Sequence, residues 1–239
     1  MIWKKVSLVI GTILALGLVG AACEITISAD GDAIYGKELT ITVDVLQIHR
    51  NCVTSIEDTQ IDLYGLSVVH YVPWQEVEPG LRRLVLTVVP NWVGQVGIEI
   101  RRECVKYGLM EKDLYLDAAL GLETVQELVP QAAKLVAEET GAYQALARDG
   151  TLLAELVVAE GSVEEADFQL LLATSPDERI LGVLLLTPLD APADTIAAFL
   201  NQFAGLSLSD LTGFEPQPMP DYEDLSQAIL GALRGTVSE

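Results

Sequence analysis

Between residues 24 and 106, hydrophobic and polar residues alternate in a pattern typical of half-buried β-strands. The clearest alternation covers residues 24–28, 39–45, 84–88 and 96–100. Turn-forming residues separate these segments, among them Gly31, Gly36, Gly80 and Gly94. Short strands punctuated by turns are typical of antiparallel sandwiches, so the pattern predicts an immunoglobulin-like β-sandwich over residues 23–106.

From residue 107 onward, helical and strand-like periods are mixed. Residues 114–147 carry apolar positions at helical spacing, with a break at Pro130, and they predict helix. Apolar runs between polar turns predict strands of a meander at residues 151–159, 168–174 and 180–187. Further helices are predicted at residues 193–203 and 222–233. We therefore predict an α+β protein, in which an α+β domain over residues 107–239 follows the sandwich.

The first 22 residues have the pattern of an export signal. Lys4 and Lys5 precede an apolar stretch over residues 6–19, and small residues follow it. That stretch is shorter than the roughly 20 residues of a spanning helix, which favours a cleaved signal over an uncleaved anchor. Cys23 comes next and resembles the lipidated cysteine of bacterial lipoproteins, although Gly20 stands where that pattern has Leu. We expect an exported protein, tethered to the extracytoplasmic side of a membrane by lipid or anchor, with plain secretion as the alternative.

Cysteine usage predicts one disulfide bond. If Cys23 carries lipid, Cys52 and Cys104 remain as an even pair in an oxidising compartment. A bond between them would close a loop of about 50 residues and constrain the unfolded chain.

The charge balance narrows the choice of partners. The chain has 35 acidic and 14 basic residues, a net charge of -21, and residues 107–239 alone carry 23 and 5, a net of -18. Such a field repels phosphate backbones, so nucleic acid is excluded as a partner. Both histidines precede residue 107, and no glycine-rich phosphate loop is present, so we expect no independent catalytic activity.

Four segments of the second half occur in a recognisable order: ETVQELVPQA at 123–132, RDGTLL at 148–153, ILGVLLL at 180–186 and FLNQFAGL at 199–206. Together they resemble the FMN-binding domain that occurs in Rnf electron-transport complexes, in sodium-pumping NADH:quinone reductase and in the regulator of nitrous oxide reductase. The resemblance spans roughly residues 120–235. It implies an extracytoplasmic electron-transfer domain whose FMN is esterified to a Thr near the C-terminus.

The family's functional positions are altered in this chain. Aligning its Ser-x-Ala motif onto Ser226 places Glu223 at the flavin-bearing Thr and Asp221 at the neighbouring Gly. The family's Glu-Thr-Pro becomes Asp190-Ala191-Pro192. The resemblance thus implies degenerate cofactor positions at Asp190, Pro192, Glu223 and Ser226. Covalent FMN is not expected, because a carboxylate cannot form the phosphoester, while noncovalent FMN remains possible.

Two function hypotheses follow. In the first, the protein is a membrane-tethered accessory of a membrane redox complex and binds FMN without a covalent bond. In the second, it is a non-redox binding or assembly module for another exported protein, which kept the fold and lost the cofactor.

Overall fold

A computed structural model describes residues 23–47, 54–106 and 108–236. Within these residues the chain is rich in β-strands, which form three antiparallel sheets. The first two sheets contain strands β1 Glu24–Asp30, β2 Leu39–Leu46, β3 Gln60–Tyr64, β4 Leu66–Glu78, β5 Leu81–Pro90, β6 Gly94–Cys104 and β7 Gly108–Ala118. The third contains β8 Lys134–Ala137, β9 Tyr143–Leu146, β10 Leu152–Val163, β11 Ala166–Thr174 and β12 Ile180–Leu185. The α-helices are α1 Leu122–Leu128, α2 Ala193–Leu200, α3 Leu208–Leu211 and α4 Glu223–Gly235.

The first seven strands form a four-stranded sheet, in the order β1-β2-β5-β4, and a three-stranded sheet, β3-β6-β7. Alternate residues of β2 are buried, and one hydrophobic cluster contains side chains from both sheets. The four segments predicted as strands from their alternation lie within β1, β2, β5 and β6. These four predictions are confirmed. The pattern was informative because side chains alternate between the two faces of a strand, so the buried face follows a period of two.

The helix predicted over residues 114–147 is wrong for most of its length. Residues 108–118 form β7, which pairs with β6 from Gly94↔Ala118 to Cys104↔Gly108. Only Leu122–Leu128 is helical, and two short strands, β8 and β9, follow it. The expected boundary at residue 106 therefore falls between two strands that pair along their full length.

The three strands of the predicted meander correspond to β10, β11 and β12 of the third sheet, whose full strand order is β12-β11-β10-β9-β8. Both of its faces are covered, and β11 shows this most clearly. Leu170 and Leu172 pack with α2 and α4, whereas Leu171 and Ala173 pack on the opposite face with α1. The predicted helices at 193–203 and 222–233 correspond to α2, with a following 3-10 turn over Asn201–Phe203, and to α4.

Gln169 of β11 joins the third sheet to the earlier strands. Its side-chain amide accepts a hydrogen bond from the Val93 N–H and donates one to the Val93 carbonyl, each at 2.8 Å. The Tyr35 hydroxyl donates to the Leu186 carbonyl. Val93 and Tyr35 also pack with residues of β9 and β10 in one hydrophobic cluster, so the two halves of the chain share a core.

Two predictions concern residues outside the described ranges. The signal or anchor at 1–22 is one, and the Cys52–Cys104 bond, which involves the undescribed Cys52, is the other, so both stay predictions. Cys104 is buried at the end of β6, and Cys23 is buried directly before β1. In the part of the chain that the structure describes, no helix has both the length and the hydropathy to cross a bilayer.

Candidate binding site at the start of helix α4

Two of the residues that the resemblance picks out, Asp190 and Glu223, line the same cavity. Asp190 lies in the loop between β12 and α2, and Glu223 is the first residue of α4. The cavity has a volume of about 380 Å³ and opens at the N-terminal end of α4. Positions that are 33 residues apart in the sequence thus meet at one site.

The other two predicted positions are outside the lining of this cavity. Pro192 directly precedes α2 as its N-terminal capping residue, and its carbonyl accepts hydrogen bonds from the N–H groups of Thr195 and Ile196. Ser226 is 2% exposed; its hydroxyl donates to the Tyr222 carbonyl at 2.9 Å and accepts from the Met219 N–H at 2.8 Å. Ser226 therefore fixes the turn that leads into α4, which positions Glu223 at the cavity.

Sequence reasoning missed the contribution of Glu164 to this cavity. Glu164 lies in the two-residue loop between β10 and β11 and lines the cavity. Asp221, which the alignment placed near Glu223, also lines the cavity and directly precedes the residue that caps α4. Both adopt positive φ angles, 55° for Glu164 and 65° for Asp221, a region that non-glycine residues rarely occupy. A turn at Val163–Ala166 was the available sequence signal for Glu164. The sequence does not indicate that this turn lies next to α4, because that contact depends on tertiary packing.

The lining of the cavity is strongly acidic. Its side chains include the five carboxylates of Glu164, Asp190, Asp221, Glu223 and Asp224, and no Lys or Arg is among its lining residues. Glu223 and Asp224 are in the first turn of α4, where the helix N-terminus favours negative charge. Within the described ranges, no group of three or more His, Cys, Asp or Glu side chains is arranged to hold a metal ion.

This set of side chains does not fit the phosphate of FMN. An anionic phosphate needs donors or cations, which a helix N-terminus and basic side chains provide. Here the chain's own carboxylates stand beside the helix N-terminus, and each would repel a phosphate at contact distance.

A second polar cluster lies on the exposed face of the three-stranded sheet. The Tyr115 hydroxyl donates to Glu99 Oε1, the Tyr64 hydroxyl donates to Glu99 Oε2 at 3.2 Å, and Arg101 pairs with Asp62 at 2.8 Å. The hydrogen bond to Glu99 raises the pKa of Tyr115 to about 12 and lowers the pKa of Glu99. These charged side chains have partners within the cluster, so it is a cross-strand ladder that stabilises the sheet.

Comparisons with known proteins add little to this description. No protein-family model and no curated protein matches the chain. Among solved structures it is similar to "Structure of surface layer protein SbsC, domains 1-6" and "Crystal structure of the S-layer protein rSbsC(31-844)". Each has 12% identity, a TM-score of 0.28 and coverage of 72% of this chain and 26% of that chain. The chain thus spans about a quarter of those proteins' length, and a similarity this low carries no argument about fold or function.

Proposed function

We propose that this protein is an exported, membrane-tethered accessory module that acts by binding another protein and not by carrying a flavin. The acidic cavity at the start of α4 is the observation that supports this proposal. Where the resemblance puts the flavin attachment, the lining offers carboxylates and no basic side chain. A phosphate is therefore disfavoured at that position whether it is bound covalently or not.

The fold is compatible with this function. On this proposal, the first two sheets form an immunoglobulin-like sandwich, and the third sheet with its helices is a degenerate FMN-binding-like domain. Retention of the fold without the cofactor explains why Glu223 and Asp224 occupy the first turn of α4. In a flavin-bearing domain, the phosphate would use the partial positive charge of that helix end.

The test is a flavin measurement on the full mature chain, produced with and without a flavin transferase. We expect a colourless protein, no fluorescent band in a denaturing gel and no heat signal on titration with FMN. Glu223→Thr alone should also remain non-fluorescent, because Asp221 still stands where the family's attachment motif has Gly.

Neutralising the cavity provides the matched comparison. The triple variant Glu164→Gln, Asp190→Asn, Glu223→Gln removes three charges from the cavity, whereas Glu138→Gln, Glu139→Gln, Glu155→Gln removes three exposed charges elsewhere. Gain of FMN binding in the first variant alone would identify the cavity as a former phosphate site. A yellow or fluorescent wild-type protein would overturn the proposal in favour of an electron-transfer accessory.

A further inference from the structure

A groove of about 470 Å³ lies between strand β12 and helix α2. Its lining is almost entirely apolar and includes Val183, Leu185, Leu189, Ile196, Ala197 and Leu200. Ala197 is exposed and Leu185 is only partly buried. A segment with apolar side chains would therefore remove the exposed surface of Ala197 and Leu185 from water, above a floor of buried Val183, Ile196 and Leu200.

One side of the groove is the edge of a β-sheet. Strand β12 is the last in its sheet, and no strand within the described residues pairs with its outer side. The Leu186 N–H donates to the Gln169 carbonyl at 2.9 Å, and Leu170 is opposite Leu185. Because backbone groups alternate in direction along an antiparallel strand, the N–H and C=O groups of Val183 and Leu185 point outward from β11.

The same edge already pairs with a backbone segment at its first residue. The Ile180 N–H donates to the Leu206 carbonyl at 2.9 Å, and the Ile180 carbonyl accepts from the Gly205 N–H at 2.8 Å. Arg179 also forms an isolated antiparallel bridge with Ser207. The edge of β12 thus forms main-chain hydrogen bonds at Ile180, and beyond the register shift that follows this residue the outward groups are those of Val183 and Leu185.

Charge indicates which kind of segment fits. Asp190 and Asp194 lie beside groove-lining residues in the sequence, and residues 107–239 carry a net charge of -18. A segment with Lys or Arg next to its apolar residues is attracted to this surface, and an acidic one is repelled.

We propose that this groove binds an extended segment of a partner protein, with alternating apolar residues and flanking Lys or Arg, as an added strand on β12. Main-chain hydrogen bonds to Val183 and Leu185 would align the segment, and alternate side chains would enter the apolar groove. This inference rests on the proposed function and names the partner's chemistry.

Two neighbouring alanines of α2 provide the test. Ala197 and Ala198 are both exposed, but Ala197 lines the groove and Ala198 lines a different cavity. Ala197→Arg and Ala198→Arg make the same change in charge, so only a groove effect distinguishes them. The probe is a phage-displayed library of random nine-residue peptides selected on the wild-type protein, followed by titration of the synthetic winners against both variants.

We expect basic peptides with alternating apolar residues, and a dissociation constant raised at least about ten-fold by Ala197→Arg but not by Ala198→Arg. N-methylation of alternate peptide amides should weaken binding, because it removes main-chain donors.

Failure to select peptides, or equal effects of the two variants, would overturn the proposal. A dimer that Ala197→Arg dissociates, without peptide binding, would identify a second copy as the occupant and also overturn it. The flavin measurement is independent, so a colourless protein without peptide binding would reject the groove alone.

Discussion

At the scale of single residues, Gln169 is the polar side chain on which the contact between the two halves depends most. It is 1% exposed, bonds both backbone groups of Val93 and also donates to Glu160 Oε1 at 3.0 Å. Gln169→Leu keeps most of the volume but removes the side-chain partners of the Val93 N–H and C=O groups. We expect a loss of about 2 kcal/mol in the free energy of unfolding, measured by urea denaturation.

The control for Gln169 is a glutamine whose hydrogen bond is exposed. Gln144 donates to Glu138 Oε1 at 2.6 Å on the surface. Gln144→Leu should change the free energy of unfolding by no more than about 0.5 kcal/mol. Equal effects of the two substitutions would contradict the assigned role of Gln169.

Tyr115 gives a prediction on pH dependence. Its hydroxyl donates to Glu99, which stabilises the protonated phenol and raises the pKa from its ordinary value of 10.0 to about 12. Because the folded-state pKa lies above the unfolded one, the stabilisation is fully present below about pH 10. It is lost as the pH rises through about 12, where the phenolate forms beside a carboxylate.

Spectrophotometric titration of the tyrosines measures this effect. Subtracting the curve of Tyr115→Phe from that of the wild type isolates the late-titrating phenol. In Glu99→Gln the pKa of Tyr115 should fall toward its ordinary value, because both the charge-assisted hydrogen bond and the negative charge are removed. Asp113→Asn removes a neighbouring charge that also raises the pKa of Tyr115 and keeps the hydrogen bond, so a fall of the same size in that variant would refute the assignment.

At the scale of elements, two antiparallel strand pairs place a glycine opposite an aromatic ring. Gly161 of β10 is opposite Phe168 of β11, and Gly97 of β6 is opposite Tyr115 of β7. A Cβ added at Gly161 would lie 2.4 Å from Phe168 Cζ, and the Phe168 side chain is fully buried. The ring therefore occupies the space that a side chain at Gly161 would need.

Gly161→Ala should accordingly lower the free energy of unfolding by about 1–3 kcal/mol, as overpacking of a core does. Gly231 of α4 is the matched case, because nothing lies within 4 Å of an added Cβ there. Gly231→Ala should raise the free energy of unfolding by about 0.5–1 kcal/mol, since alanine favours helix. Thermal and urea denaturation of both variants provide the measurement, and a change of the same sign in both would contradict this account.

The strands that could be predicted from the sequence are those whose own side chains alternate, and β2 is the clearest. Strand β7 could not be predicted in this way, because Glu111, Lys112 and Asp113 interrupt its apolar alternation. Its pairing with β6 outweighs the helix propensity of the surrounding sequence. Short strands β8 and β9 were missed for a related reason, since four residues are too few to establish a period.

The candidate site was predictable in part. Asp190 and Glu223 were found through motif alignment, and the structure brings them to one cavity. Glu164 was not, because its position depends on the packing of α4 against β10, where Val163 and Leu225 belong to one cluster. Local sequence carries no information about such a contact between distant elements.

At the scale of the whole molecule, the attachment to the membrane is the remaining prediction. Cys23 directly precedes β1, so a lipid on this residue would place the first sheet next to the bilayer. If the lipid is the principal attachment, Cys23→Ala should move the protein from the membrane fraction to the soluble fraction, since the hydrophobic anchor is lost. Cell fractionation with immunodetection measures this, and Ser28→Ala, an exposed change in β1, should leave the distribution unaltered. An unchanged membrane fraction in Cys23→Ala would instead identify residues 1–22 as an uncleaved anchor, and mass spectrometry of the N-terminus would then find Met1 in the mature chain.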